Sequence, residues 1–323
     1  MPRSAISSLS ARFGVTRLAR ITGLDRTGIE VVAAVRPRGH VLQVSQGKGV
    51  SLADAQWSAL GEAIELAAAE TPELERLVFG PAPHDAAWDA RGLSIAWVRG
   101  ETLDRGRAVS VPAETVFCPP SGVAWFGPSI ANWKSNGLGA HPTSRDAALE
   151  HALLEVLERD GLARVLPDGW TEDLALERLV ALEGDEFGLR KRGFAFFVFD
   201  LTPDDRKAPL AGALLFDLES DVVPLTAGYA CRRSWDEAAR AAILEAAQSR
   251  LTEIHGARED VLTGDREAGG ELLEVLARAR PRRAKRRSVR GPLQLDRAVV
   301  VELRRDPWVV KIVGEDLLVS ELL

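Results

Sequence analysis

The chain of 323 residues is 46% hydrophobic and 27% charged, an ordinary globular composition with length enough for one large domain or two small ones. A net charge of −6 argues against a nucleic-acid binder taken as a whole, and no apolar run reaches the roughly 18 residues of a membrane span. Cys118 and Cys231 make neither a disulfide framework nor a zinc pattern, and the polar N-terminus lacks a secretory apolar core, so the chain reads as cytoplasmic with reduced thiols.

In chain order, residues 1–16 read as a flexible N-terminal segment. Residues 17–45 predict two strands around a turn at Asp25–Gly28. The tract Val44-Ser45-Gln46-Gly47-Lys48-Gly49 reads as a loop. Its glycines let the backbone approach an anion, its lysine suits phosphate, and the helix start just downstream adds a dipole. It is not the Walker pattern, and alone it reads more readily as a surface turn. Residues 51–70 predict an alanine-rich helix with Ser51 as N-cap, ended by Thr71–Pro72. A loop over Ser135–Pro142 gives way to a helix from 144 to 159, closed by Gly161. A short polar helix near 171–183 follows, then strands at 194–201 and 208–216. A third alanine-rich helix runs from Ser234 to about His255, and the last strands cover 298–303 and 308–313. Residues 278–290, with eight basic side chains, read either as a solvated loop or as an anchor for an acidic peptide or phosphate.

The strongest signal recurs on three helices. The first carries Ser58-x-x-x-Glu62-x-x-Glu65, the second His151-x-x-x-Glu155-x-x-Glu158-Arg159, and the third Ala241-x-x-x-Glu245-x-x-Gln248-x-Arg250. Positions i, i+4 and i+7 fall within about 60° of one another at about 100° per residue, so each set shares a face. Their neighbours are small or apolar, which predicts helices buried over much of their circumference. Carboxylates near a buried surface must be paired or must bind metal, and like charges one turn apart repel. Magnesium with phosphate oxygens answers that need, because it binds through carboxylates plus nucleotide phosphates. Surface glutamates on three amphipathic helices, or an ion-pair network using Arg159 and Arg250, are the competing readings.

Together with the strand FVFDLTPDD, the stretches RITGLDRTGIEVVAAVRP, VSQGKG, SALGEAIELAAAE, SNGLGAHPTSRDAALEHALLEVLERDG and EAAQSRLTEIHGARED resemble the YcaO family, in particular its TfuA-associated branch. The resemblance implies an α+β YcaO fold over residues 1–323 as one domain, with mixed and antiparallel sheets packed on helices and an ATP site formed by the three carboxylate-bearing helices. It implies ATP and Mg²⁺, with Glu62, Glu65, Glu155, Glu158 and Glu245 as metal ligands. Ser45, Lys48, Ser58, Asn136, His151, Gln248 and Arg250 become nucleotide or phosphate contacts, and Glu65, Glu158 and Arg250 carry catalysis. Family members phosphorylate a backbone amide oxygen once a nucleophile attacks the amide carbon; a Cys, Ser or Thr side chain gives an azoline and sulfide a thioamide. The chain ends DLLVSELL where azoline-forming members often carry a PxPxP tail, and Arg232 or Arg233 stands where relatives have histidine. The expectation is therefore thioamidation of a peptide substrate, with a TfuA-like sulfur-delivery partner, no DNA and no membrane. Azoline formation, a carboxylate–amine ligase and a non-catalytic ATP-binding regulator remain alternatives, and a homodimer is left open.

Overall fold

The computed structural model describes residues 3–318 apart from 119, 121, 122, 124, 132, 135, 136, 221, 257–267 and 294. The chain runs α1 (Arg3–Arg12), β1 (Arg17–Arg20), β2 (Glu30–Val35), β3 (Val44–Gly49), α2 (Leu52–Glu70), β4 (Val78–Gly80), β5 (Ile95–Thr102), β6 (Ala108–Pro112), β7 (Leu138–His141) and α3 (Arg145–Val165). It continues α4 (Glu172–Arg178), β8 (Leu179–Ala181), β9 (Phe194–Asp200), β10 (Leu210–Asp217), β11 (Leu225–Cys231), α5 (Trp235–His255), α6 (Ala268–Arg278), β12 (Arg282–Arg283), β13 (Val299–Arg305) and β14 (Trp308–Val313).

The strands form three sheets, ordered β1-β2-β3, β4-β5-β13-β14-β7 with β6 on β5, and β11-β10-β9-β8-β12. Pairing is antiparallel throughout except for β8 with β12. Each sheet supplies one strand that leads directly into one of the three long helices, β3 into α2, β7 into α3 and β11 into α5. A serine caps each helix: Ser51, Ser144 and Ser234 accept the backbone N–H of Asp54, Ala147 and Glu237. Such a cap is worth about 1 kcal/mol.

A glycine in each strand sets the strand–helix approach. A methyl group on Gly47 would lie 2.0 Å from the Ala59 nitrogen and 2.6 Å from the Ala55 oxygen. On Gly139 it would lie 2.0 Å from the Ala148 oxygen and 2.9 Å from the Ala152 nitrogen, and on Gly228 it would lie 2.3 Å from the Ala242 oxygen and 2.2 Å from the Ala246 nitrogen. Alanine on the helix and glycine on the strand thus let two backbones meet where any larger pair would overpack.

Each helix also reaches the next sheet: α2 packs on β7, α3 on β11 and α5 on β3. The arrangement closes on itself as a ring of three strand–helix units. Its three main cores lie between neighbours, one around α2, one around α3 and one around α5. The helices are therefore apolar over most of their circumference, and only their inward stripe is left for polar groups.

Several expectations are revised. The tract 44–49 is a strand, paired with β2 over its whole length, and its glycines admit a helix rather than an anion. The second helix continues through Gly161, where a methyl group would meet the Leu210 side chain at 2.8 Å, so this glycine serves packing rather than termination. Residues 3–12 form α1. Strands β4, β5, β6, β7, β11 and β12 and helix α6 were not expected, and the helix expected over 171–183 ends at Arg178 and gives way to β8; β11, Leu-Thr-Ala-Gly-Tyr-Ala-Cys, has the small residues its packing against α5 requires but little β-propensity.

Candidate active site

The inward stripes of α2, α3 and α5 meet around a cavity of 590 Å³. Ser58, Glu62 and Glu65 line it from α2, His151, Glu155, Glu158 and Arg159 from α3, and Glu245, Gln248, Ser249, Thr252 and Glu253 from α5. Gln46 and Lys48 enter from β3, Ala227 and Tyr229 from β11, and Arg232 from the turn before α5.

The glycine contacts give the structural register of the three units. They equate Ala55, Ala148 and Ala242. Ser58, His151 and Glu245 then stand at one level, Glu62, Glu155 and Ser249 at the next, and Glu65, Glu158 and Thr252 at the third. The sequence pattern had set Glu245 level with Glu62; the structure places it one helical turn earlier. Two units carry paired glutamates and the third carries one glutamate followed by hydroxyls.

Backbone amides hold the carboxylates in place. Glu62 accepts from Gln46 N at 3.0 Å, and Glu155 from Gly137 N and Leu138 N at 2.9 and 3.2 Å. Glu65 reaches the neighbouring unit to accept from Ala140 N at 2.7 Å, and Glu158 likewise from Cys231 N at 2.9 Å. Glu245 takes the third bridge, accepting from Lys48 Nζ at 2.7 Å. Three inter-unit bridges thus point the same way round the ring.

Burial and mutual repulsion make this acid cluster costly without cations. Burial, with Glu155 close by, raises Glu65 well above the ordinary carboxylate range. Burial raises Glu155 also. Glu158 is pushed up to about 7 by burial first and by Glu245 second. Burial acts in the same sense on Glu245, but Lys48, Arg159 and Arg232 outweigh it, and this carboxyl lies below the ordinary range. His151 opens 57% of its side chain to the cavity, yet the surrounding walls, Arg232 and Lys48 push it down to about 4, so it faces the space as a neutral imidazole.

Two of the lining residues carry buried donors without acceptors. Gln46 Oε1 accepts from Thr252 at 2.6 Å, while its buried Nε2 has no hydrogen-bond partner among the described residues. The buried Nε of Arg159 has none either. Unmet buried donors are costly. Among the described residues no three acidic or histidine side chains converge on one point. Magnesium takes one or two protein carboxylates and completes its shell with phosphate oxygens and water. The residues present therefore fit a magnesium–triphosphate group, with Glu62, Glu65, Glu155, Glu158 and Glu245 as the available oxygen ligands.

Of the residues singled out from the sequence, Lys48, Ser58, Glu62, Glu65, His151, Glu155, Glu158, Glu245 and Gln248 come together here. Ser45 is buried on the opposite face of β3 from Gln46 and Lys48 and is not among the lining residues. Asn136 lies outside the described residues. Arg250 is a correction: it points away from the cavity, with Nε 3.1 Å from Asp25 and Nη2 2.6 Å from Asp217, and it donates to Val223 O. Both carboxylates already hold its charge, so it ties α5 to the first and third sheets, and it is not among the residues lining the cavity. Arg250→Ala is expected to destabilise the fold by about 3–5 kcal/mol, because it leaves the buried Asp25 carboxylate without its ion pair. Urea unfolding checks this, and a loss below 1 kcal/mol would contradict it.

Arg159 and Arg232 supply the cationic donors that Arg250 does not. Lys311 was missed altogether. It lies on β14, 1% exposed, donates to Lys134 O, and sits 5.3 Å over the Trp133 ring. Burial lowers it to about 7 against the opposing pull of Glu155 and Glu65, behind which it lies. The signal that finds it is a lone lysine inside Val309-Val310-Lys311-Ile312-Val313.

The family model described as YcaO cyclodehydratase, ATP- and Mg²⁺-binding, matches residues 46–306. An uncharacterized protein of Methanothermobacter thermautotrophicus is 33% identical over 287 residues, covering 82% of this chain and 73% of that protein. One from Rhizobium leguminosarum bv. trifolii, described as lying in the tfuA 3′ region, is 31% identical over 280 residues, 77% of this chain and 64% of its own length. The chain thus spans 73% of the first relative and 64%, less than two thirds, of the second. Among solved structures, YcaO from Methanopyrus kandleri bound with AMPPCP and Mg²⁺ superposes with a TM-score of 0.68 over 98% of this chain and 91% of that one, at 22% identity. A heterocyclase in complex with substrate and cofactor superposes at 0.66 over 97% of this chain and 52% of that one, at 18% identity.

Proposed function

Because the chain belongs to the YcaO family, an ATP- and Mg²⁺-binding family, we propose that it activates a peptide backbone amide by ATP-dependent phosphorylation of the amide oxygen. The observation that carries this reading is the cavity among α2, α3 and α5, where buried glutamates in need of cations stand beside unmet donors.

The chemistry balances. A nucleophile attacks the amide carbon, and the oxygen so made anionic takes the γ-phosphoryl group, releasing ADP. That oxygen then departs as phosphate. An amide oxygen is a poor leaving group and a phosphate a good one. Magnesium, when bound, neutralises charge on the transferring group. Glu65 and Glu158 are its proposed main ligands, supported by Glu62, Glu155 and Glu245. Arg159, Arg232 and Lys48 offset phosphate charge. Ser58, Gln248 and neutral His151 supply uncharged polar contacts to the nucleotide.

External sulfide as nucleophile, giving a thioamide, is the reading we favour. Its support is the rhizobial relative in a tfuA 3′ region, which points to a TfuA-like partner for sulfur delivery. The chain's own thiols are poor sulfur carriers. Burial pushes Cys231 to about 12 and raises Cys118, and the thiolate is the reactive form. The family description and the heterocyclase likeness favour a second reading, ring closure by a Cys, Ser or Thr side chain with loss of water.

Mass spectrometry separates them. A precursor peptide incubated with the protein, Mg-ATP and sulfide, with and without a TfuA-like partner, should gain the mass difference between sulfur and oxygen. Loss of one water regardless of sulfide would replace thioamidation by ring closure. No mass change alongside tight ATP binding would favour a regulator without turnover.

A further inference from the structure

Residues 278–290 carry seven arginines and one lysine without a single acidic residue, in a chain of net charge −6. They are not a slack loop. Leu276 is 2% exposed, and Ala279, Ala284, Val289 and Leu293 pack against the second and third cores. Arg282 and Arg283 form β12, in register with Val180 and Ala181 of β8. Trp235 N donates to Arg287 O at 3.0 Å and Val289 N to Arg233 O at 2.8 Å, clamping the segment along the start of α5.

This seating holds the basic side chains outward. Arg280, Arg282, Arg283, Lys285, Arg286 and Arg290 are exposed. None has a side-chain hydrogen bond or ion pair among the described residues. Elsewhere, exposed or half-exposed arginines typically meet acids: Arg20 with Glu30, Arg99 with Asp85, Arg145 with Glu302, Arg233 with Glu150 and Arg240 with Glu186. Charged edge strands do discourage aggregation, but a two-residue strand needs few charges for that. β12 ends its sheet, so its outer edge has no strand partner among the described residues. A free edge offers backbone donors and acceptors in the spacing of an extended chain.

The strip also leads toward the cavity. Val289, Arg290, Pro292 and Leu293 form one wall of a 350 Å³ groove that reaches Cys231. Cys231 N donates to Glu158, and the next residue, Arg232, lines the nucleotide cavity. Groove and cavity thus meet on either side of residues 231–232.

We infer that residues 278–290 dock an acidic, extended segment of the peptide substrate, which adds to the free edge of β12 and presents the reacting amide by way of the groove. The inference rests on the peptide-directed reading above. It supplies what that reading lacks, a chemical description of the substrate outside the reacting bond: a run of Asp or Glu in extended conformation. Surface charge attraction of this kind weakens as salt rises.

The test is fluorescence anisotropy with the whole chain and a labelled decapeptide of alternating Glu and Val, against one of alternating Lys and Val, at about 20 mM salt, where screening is weak. The acidic peptide should bind and the basic one should not. Arg282→Glu/Arg283→Glu/Arg286→Glu should weaken binding at least tenfold while leaving Mg-ATP affinity and the thermal midpoint unchanged. Arg282→Gln/Arg283→Gln/Arg286→Gln gives the same direction with less risk to folding. A prolyl version of the acidic peptide, which cannot pair along a strand edge, should bind more weakly. Equal binding of both peptides, unchanged affinity in both variants, or tighter binding of a single-stranded RNA than of the acidic peptide would overturn the inference. Acidic-peptide binding is read without ATP or turnover, so it stands or falls separately from the mass-change experiment.

Discussion

Glu158→Gln should lower ATP consumption at least a hundredfold, about 3 kcal/mol of lost transition-state stabilisation, with the fold intact. Glutamine keeps an oxygen that can accept from Cys231 N, so the bridge between α3 and β11 survives. It removes the charge that magnesium needs. Glu65→Gln should behave alike, because its bond from Ala140 N is also of the kind an amide oxygen accepts. Turnover measured by phosphate release, with circular dichroism as the control, decides the matter. Wild-type turnover in either variant would take that carboxylate out of the nucleotide site.

The same substitution has a signature in stability. Glu158 titrates at about 7 in the folded ligand-free chain and near 4.5 when unfolded. Below both values the group is protonated in both states and contributes nothing. As pH rises from 4.5 to 7 the unfolded chain ionises first, so the contribution of this group falls across that window, while His151, held near 4 in the fold, contributes in the opposite sense as its unfolded imidazole loses a proton. Urea titrations of the ligand-free protein and of Glu158→Gln should therefore differ in slope, the variant gaining stability relative to the wild type as pH rises through the window. An unchanged slope in the variant would show that the charge is already balanced from within.

The second large effect concerns magnesium. Six glutamates, among them Glu253, face the cavity against Lys48, Arg159 and Arg232. Bringing a triphosphate into that space adds negative charge to an excess of the same sign, and the cost is greater where burial limits screening. Magnesium reverses the balance by binding both carboxylate and phosphate oxygens. Calorimetry should find ATP bound at least a hundredfold more tightly with Mg²⁺ than in EDTA, about 2.7 kcal/mol or more. Equal affinity in both buffers would remove metal-mediated nucleotide binding from the account. Together with loss of turnover in Glu158→Gln, a metal-dependent affinity ties the acid cluster to phosphate chemistry rather than to packing.

The sequence by itself determined the three helices, their serine starts and the polar stripe on each, because 3.6-residue periodicity and capping are local properties. It also pointed to Lys48, Ser58, Glu62, Glu65, Glu155 and Glu158, since a carboxylate inside an alanine-rich helix is conspicuous without any knowledge of what lies opposite. The closing strands 299–305 and 308–313 were legible for the same local reason, their run of valines. What it left undecided depends on partners distant in the chain. Gly47 was read as room for an anion; only the packing of α2 across β3 shows that the room is taken by Ala55 and Ala59. Spacing aligned Glu245 with Glu62, but the register of a helix against its strand is set by where Gly228 allows contact, one turn away. Arg250 follows Gln248 by two positions, which on a helix turns it to another face, and the buried Asp25 and Asp217 that claim it arrive from the first and third sheets. Arg159, Arg232 and Lys311 enter the site's electrostatics for the same reason: charge acts through space, and only the closed ring of three units brings those cations beside those acids.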